Sequence, residues 1–156
     1  MAEKTNVMRV LEQKKIAYRS YSYVDTEAVG GEDVAAALGE NPDQVFKTLV
    51  TVGKSGANYV FVIPVNRELN LKKAAKAVGE KSVQMLKQKE LLPLTGYVHG
   101  GCSPVGMKKF FRTTFHETAV DFDTILFSAG KIGYQVEVSL EELKKAIRYD
   151  VADVAD

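Results

Sequence analysis

The most strand-like run in the chain is Val45 to Val52, Val-Phe-Lys-Thr-Leu-Val-Thr-Val. β-branched and aromatic residues dominate it, and turn residues bound it. Gly53-Lys54-Ser55-Gly56 turns the chain and Tyr59 to Val65 returns, so the two runs predict a central hairpin. The Gly-Lys-Ser of that turn resembles the tail of a phosphate-binding loop. The motif's first glycine is missing, because position 48 is Thr48, and the segment reads as a turn. Ahead of the hairpin, Thr5 or Asn6 caps a first helix whose Val7, Val10 and Leu11 share a face. Ala17 to Val24 alternates apolar and polar positions and reads as a strand. Glu32 to Leu38 is a short helix closed by Gly39, and Asn41-Pro42-Asp43 is a turn or a helix start. Beyond the hairpin, Asn70 caps a helix over Leu71 to Val78. Val83 to Met85 predicts a short strand, and Lys87 to Leu92 a helix stopped by Pro93. Phe110 to Phe115, Thr124 to Phe127 and Tyr134 to Val138 predict three further strands. Ser139-Leu140-Glu141-Glu142 is a capping box that opens a helix to about Tyr149. Strands and helices interleave irregularly. The expected fold is therefore α/β of the α+β type: a mixed, strongly twisted sheet of about six or seven strands surrounded by helices.

Composition narrows the setting. A chain of 156 residues, 46% hydrophobic and 26% charged, fits one soluble domain spanning 1–156 with a core of its own. The single cysteine excludes an internal disulfide and points to a reducing cytosol. The start, Met-Ala-Glu-Lys-Thr-Asn, has no apolar stretch of a signal peptide, and no run reaches membrane-spanning length. A cytoplasmic protein without membrane contact is expected. The net charge of +1 argues against coating nucleic acid non-specifically and leaves room for gripping one end of an RNA.

Candidate chemistry gathers in Thr95 to Lys109, which holds Gly100, Gly101, Cys102, Ser103, Pro104 and the pair Lys108-Lys109. Glycine lets a backbone approach a ligand closely, and amides followed by cations suit an anionic or carbonyl ligand. A plain glycine-rich turn between strands accounts for the same residues. Lys47 shares a strand face with Val45, Leu49 and Thr51. If that face is buried, the ammonium needs a partner or a ligand; if it is solvated, it needs neither. Lys72, Lys73 and Lys76 share a helix face by spacing, which fits either a solvated basic face or phosphate contacts. His99 and Cys102 lie three apart, as an activated thiolate would require, though a packed cysteine beside a surface histidine explains them as well. Two histidines and one cysteine offer no ligand spacing, so no metal is expected.

Val45-Phe46-Lys47-Thr48-Leu49, the Thr95 to Lys109 stretch and Ser128-Ala129-Gly130-Lys131-Ile132-Gly133 together resemble the YbaK-like family of stand-alone aminoacyl-tRNA editing domains. The resemblance runs from about Val7 to about Val154. It implies the mixed-sheet editing fold and a deacylase that hydrolyses cysteine mischarged on tRNA(Pro), with Cys-tRNA(Cys) a further substrate. Carried over, Lys47 is the pocket lysine and Tyr23 a pocket tyrosine. Gly100, Gly101, Ser103 and Pro104 form the substrate loop, and Ser128 lines the opposite wall. Lys72, Lys73, Lys76, Lys108 and Lys109 are then candidates for the tRNA backbone. The implied chemistry is substrate-assisted, the substrate's own thiol attacking its ester, with no cofactor and no protein nucleophile. The implied partners are the acceptor end of mischarged tRNA(Pro) and prolyl-tRNA synthetase. The alternatives are an editing domain that clears alanine, a non-catalytic binding module of the same fold, and a cysteine hydrolase built on Cys102 and His99.

Overall fold

The computed structural model describes residues 4–156. Helix α1 (Asn6–Gln13) is capped by the Thr5 hydroxyl, which accepts from the Met8 amide, and it buries Val7, Met8 and Leu11. Strand β1 (Tyr18–Ser22) follows, then α2 (Gly31–Leu38), closed by Gly39 in the left-handed conformation. The predicted hairpin is β2 (Phe46–Gly53) and β3 (Asn58–Pro64), antiparallel, with Lys47 opposite Ile63. After it come α3 (Leu71–Val78), β4 (Val83–Met85) and α4 (Gln88–Thr95), then β5 (Arg112–His116) and a 3-10 turn over Glu117–Asp121. Strands β6 (Ile125–Ser128) and β7 (Tyr134–Val138), helix α5 (Leu140–Leu143) and strand β8 (Asp150–Ala152) complete the chain.

Among the described residues, eight strands form two sheets rather than one of six or seven. The larger has the order β4-β2-β3-β5-β8, with β3–β5 and β5–β8 parallel and the rest antiparallel. The smaller, β1-β7-β6, is antiparallel throughout. They meet where Val45 bridges Leu126 in parallel fashion, and the Leu126 amide donates to Gln44 O at 3.1 Å. The main core lies on one side of this junction. Phe46, Val50, Val60, Val62 and Phe115 of the larger sheet pack there with Ile125, Phe127, Val136 and Val138 of the smaller, under α1. On the other side, α3 covers Phe61 and Ile63 with Ala74, Ala75 and Val78, while α2 brings Ala35 onto Val45, Val65 and Leu126.

Three predicted boundaries move. Pro93 does not stop α4, which runs two residues further to the Gly96 cap, with the Thr95 hydroxyl donating to Leu91 O. Phe110 and Phe111 precede β5 rather than belonging to it. The capping box does form, Ser139 Oγ accepting from the Glu142 amide, but the regular helix ends at Leu143 instead of Tyr149. Tyr149 leaves the helical path because its ring packs edge-on against Phe115 at 5.1 Å and its hydroxyl donates to Leu140 O. Asp150 to Ala152 then pairs with β5 as a strand the periodicity did not announce. Among the described residues no helix is long and apolar enough to cross a membrane.

Candidate functional site

Strand alternation puts Phe46 and Val50 into the main core and turns Val45, Lys47, Leu49 and Thr51 to the opposite face. Thr51 and Val45 are buried there, and Leu49 packs with Phe61 and Ile63 under α3. Lys47 therefore stands between two apolar clusters. It is half-buried, and its ammonium makes no hydrogen bond or ion pair with any of the described residues.

The Val45–Leu126 bridge says what Lys47 stands beside. Two residues on from the bridge along each strand stand Lys47 and Ser128, on the faces that carry Val45 and Leu126. Ser128 is half-buried at the end of β6, and its hydroxyl accepts from the Gly130 amide at 3.1 Å. Its neighbour across the smaller sheet is Gln135, whose other neighbour is Tyr21.

Three loops converge at this end of the smaller sheet. The loop after β6 carries Gly130 at φ +87°. An added Cβ there would lie 2.8 Å from Val7 Cγ2 and 2.9 Å from the Tyr97 ring, so only glycine fits. The Thr95–Lys109 stretch is pinned by buried Tyr97, whose hydroxyl donates to Val105 O. Its Gly101 comes so close to the backbone of the post-β6 loop that a Cβ would lie 3.2 Å from Ile132 N. The third loop brings Tyr23, largely buried, whose amide donates to Gly133 O at 2.8 Å. Tyr23, Gly100, Gly101 and Ser128 thus all border the loop after β6. Ser103 and Pro104 sit behind it, fully covered, and Ser103 Oγ accepts from the Val105 amide. The Ser103 side chain shapes the loop from within.

Three acidic and amide side chains here, Gln135, Glu40 and Glu137, are absent from the sequence-based expectations. Gln135 is 5% exposed and, with its amide oriented by its partners, donates to Glu40 Oε1 at 3.0 Å and Oε2 at 2.8 Å. Burial pushes the Glu40 carboxyl up to about 7; the Gln135 hydrogen bond opposes this and the nearby Glu137 charge adds to it. Glu137 itself accepts from the Thr124 and Tyr21 hydroxyls, which hold its carboxyl below the usual range. The polar residues Gln135 and Glu137, alternating with valines in β7, were the available signal, but reading it required knowing that β7 lies between β1 and β6.

The remaining candidates separate. Cys102 is buried, and burial alone pushes its thiol up to about 12, so it carries no thiolate near neutrality. His99 is exposed, and no hydrogen bond joins the two. Of the helix lysines, Lys72 and Lys76 are exposed, whereas Lys73 pairs with Asp153 at 3.0 Å and donates to Ala155 O. The face shared by spacing is therefore divided, with Lys73 turned to the C-terminal segment. Lys108 and Lys109 are exposed ahead of β5, and the stem of Lys108 crosses Gly96.

Comparison with known proteins gives this arrangement its context. A family model described as the aminoacyl-tRNA editing domain matches residues 26–146. The chain is 46% identical over 153 residues to an Enterococcus faecalis protein named as a Cys-tRNA(Pro)/Cys-tRNA(Cys) deacylase, EbsC, covering 97% of this chain and 93% of that one. It is 35% identical over 82 residues to a proline–tRNA ligase of Shouchella clausii, spanning 53% of this chain but only 14% of the ligase. In three dimensions it is similar to a chain described as a trans-editing enzyme for prolyl tRNA synthetase. The TM-score is 0.83 and the identity 23%, over 100% of this chain and 99% of the other.

Proposed function

The chain belongs to the aminoacyl-tRNA editing domain family, and from that premise we propose that it is a single-domain, cytosolic deacylase of mischarged Cys-tRNA(Pro), with Cys-tRNA(Cys) a second substrate. The observation that carries the reading is Lys47: a half-buried ammonium with no hydrogen-bond or ion-pair partner among the described residues, two positions beyond the bridge that ties its strand to the one carrying Ser128. Such a cation calls for an anion or a dipole, and an aminoacyl ester on a terminal ribose–phosphate supplies both.

In this reading the protein supplies no nucleophile. Cys102 is too strongly protonated, and no described residue orients His99. The substrate's sulfur, as thiolate, attacks its own ester carbonyl carbon. The C–O bond to the ribose breaks, the ribose oxygen takes up a proton, and cysteine departs as a cyclic thiolactone that water then opens. Lys47 holds the 3′ end and steadies the charge that develops on oxygen, while Tyr23, Gly100, Gly101 and Ser128 confine the aminoacyl group. Ser103 and Pro104 hold the loop's shape. The work is orientation and electrostatics. Lys72, Lys76, Lys108 and Lys109 are assigned to the tRNA backbone, and selection of tRNA(Pro) to prolyl-tRNA synthetase, which suits a net charge of only +1. Deacylation of Cys-tRNA(Pro), Ala-tRNA(Pro) and Pro-tRNA(Pro) side by side tests the assignment. Preferential loss of cysteine is expected; preferential loss of alanine overturns the substrate, and no turnover of any of them overturns the activity.

A further inference from the structure

A buried amide has two unlike ends, and each needs a matching partner. Gln135 is such a group. It lies between Tyr21 and Ser128 across the smaller sheet, and Glu40 meets its nitrogen with both carboxylate oxygens. Glu40 stands just past the Gly39 cap of α2, half-buried, with Glu137 as a like-charged neighbour. A carboxylate kept there is costly to the fold and is offset by its grip on Gln135. We propose that Glu40 is a positioning residue of this site: it clamps the Gln135 nitrogen and so presents the Gln135 oxygen, on the Ser128 face, as the acceptor for the ammonium of the bound aminoacyl ester. The inference rests on the deacylase reading. An aminoacyl ester carries a free ammonium next to its ester carbonyl. A site whose cation is committed to the ester end needs a separate acceptor for that second charge.

The clamp is linked to protons. Above about 7 both Glu40 oxygens accept; below it one of them carries a hydrogen and the two-point grip is lost. The charged group acting on Glu40 from β7 is Glu137, and from β1 Tyr21 and Arg19 act on Glu137 in turn. Glu137 is held below the usual carboxylate range and stays ionised throughout this window.

The first test needs no substrate. In 15N-labelled protein, the Gln135 side-chain amide, assigned by its absence in Gln135→Leu, is followed by NMR from about pH 5 to about pH 9. An inflection near 7 that vanishes in Glu40→Gln is expected. An amide that does not move, or that titrates identically in Glu40→Gln, overturns the clamp. The second test is steady-state deacylation of Cys-tRNA(Pro). Glu40→Leu should lose about tenfold in kcat/KM at pH 8, chiefly through KM. Glu40→Gln, whose carbonyl oxygen still accepts, should lose less, and its ratio to wild type should approach one by about pH 6. The ratio cancels the ionisation of the substrate thiol, which both enzymes share. Wild-type KM in Glu40→Leu overturns the proposal. If Glu40→Leu does not fold, the Glu40→Gln ratio decides. If wild type cleaves no charged tRNA while its amide titrates as expected, the deacylase reading falls and the Glu40–Gln135 clamp stands.

Discussion

Lys47 keeps its ammonium between apolar clusters at some cost to the fold, so removing it separates function from stability. Lys47→Ala should lower single-turnover deacylation of Cys-tRNA(Pro) by about a hundredfold or more while the thermal melt stays put or rises. Lys47→Arg should fail as well, since a planar fork does not replace a compact ammonium in a tight pocket. Wild-type rates in either variant would remove Lys47 from the mechanism. The buried thiol gives the opposite expectation. Cys102→Ala trims one small group from the main core, costs about 1 kcal/mol of stability, and should leave kcat within a few-fold. A hundredfold loss with the fold intact would restore a cysteine nucleophile. Glu40 predicts a stability effect with a defined sign. Its folded pKa lies above the ordinary carboxylate value, so the folded state binds the extra proton and stability declines as pH rises from about 4.5 to about 7. Glu40→Gln should therefore melt higher than wild type at pH 8, and the difference should shrink at pH 5.

The loop after β6 and helix α3 show how much an element fixes beyond its residues. Gly39 and Gly130 both have positive φ, but a Cβ at Gly39 meets nothing within 4 Å, whereas at Gly130 it meets Val7 and Tyr97. Gly39→Ala should cost about 1 kcal/mol from backbone strain alone. Gly130→Ala should cost more, and because its loop carries Ser128 into the site it should also raise KM. Equal melts for the two variants would mean that the loop yields without consequence. On α3, Lys72→Ala with Lys76→Ala should flatten the salt dependence of tRNA binding by about one unit of slope per lost phosphate contact. Lys73→Ala should instead loosen the C-terminal segment slightly, as exposed ion pairs are worth about 0–1 kcal/mol. An unchanged salt slope in the double variant would leave that face merely solvated. Elements of this kind were legible in the chain where local chemistry decides. The hairpin, the Asn70 and Ser139 caps and the closing glycines all follow from residues within a few positions of one another. The end of α5 and the strand at Asp150 were not legible, because both depend on Phe115 and β5, far away in sequence. The division of the strands into two sheets, and with it Gln135 and Glu40, depends likewise on the meeting of Val45 and Leu126.

At the scale of the whole molecule, the proposed chemistry predicts selection by reactivity as well as by shape. A hydroxyl is a far weaker nucleophile than a thiol, whose thiolate is accessible near neutral pH. Cys-tRNA(Pro) should therefore be cleaved much faster than Ser-tRNA(Pro), although the two aminoacyl groups are nearly the same size; equal rates would mean that water or a protein group attacks. The two sheets share one core, yet among the described strands their ladders are joined by one bridge, Val45 with Leu126. The proposed site spans that junction, with Lys47 on one sheet and Ser128, Gln135 and Tyr23 on the side of the other. A fold arranged this way has a place where it opens first. The Leu126 and Val65 amides, which bond to Gln44 and Val45 across or beside the junction, should exchange with solvent deuterium by local opening, well before the interior of β2 and β3. A ligand that touches both sheets would act there as a suture, slowing exchange at Leu126 in proportion to its occupancy and leaving the hairpin's own rates unchanged.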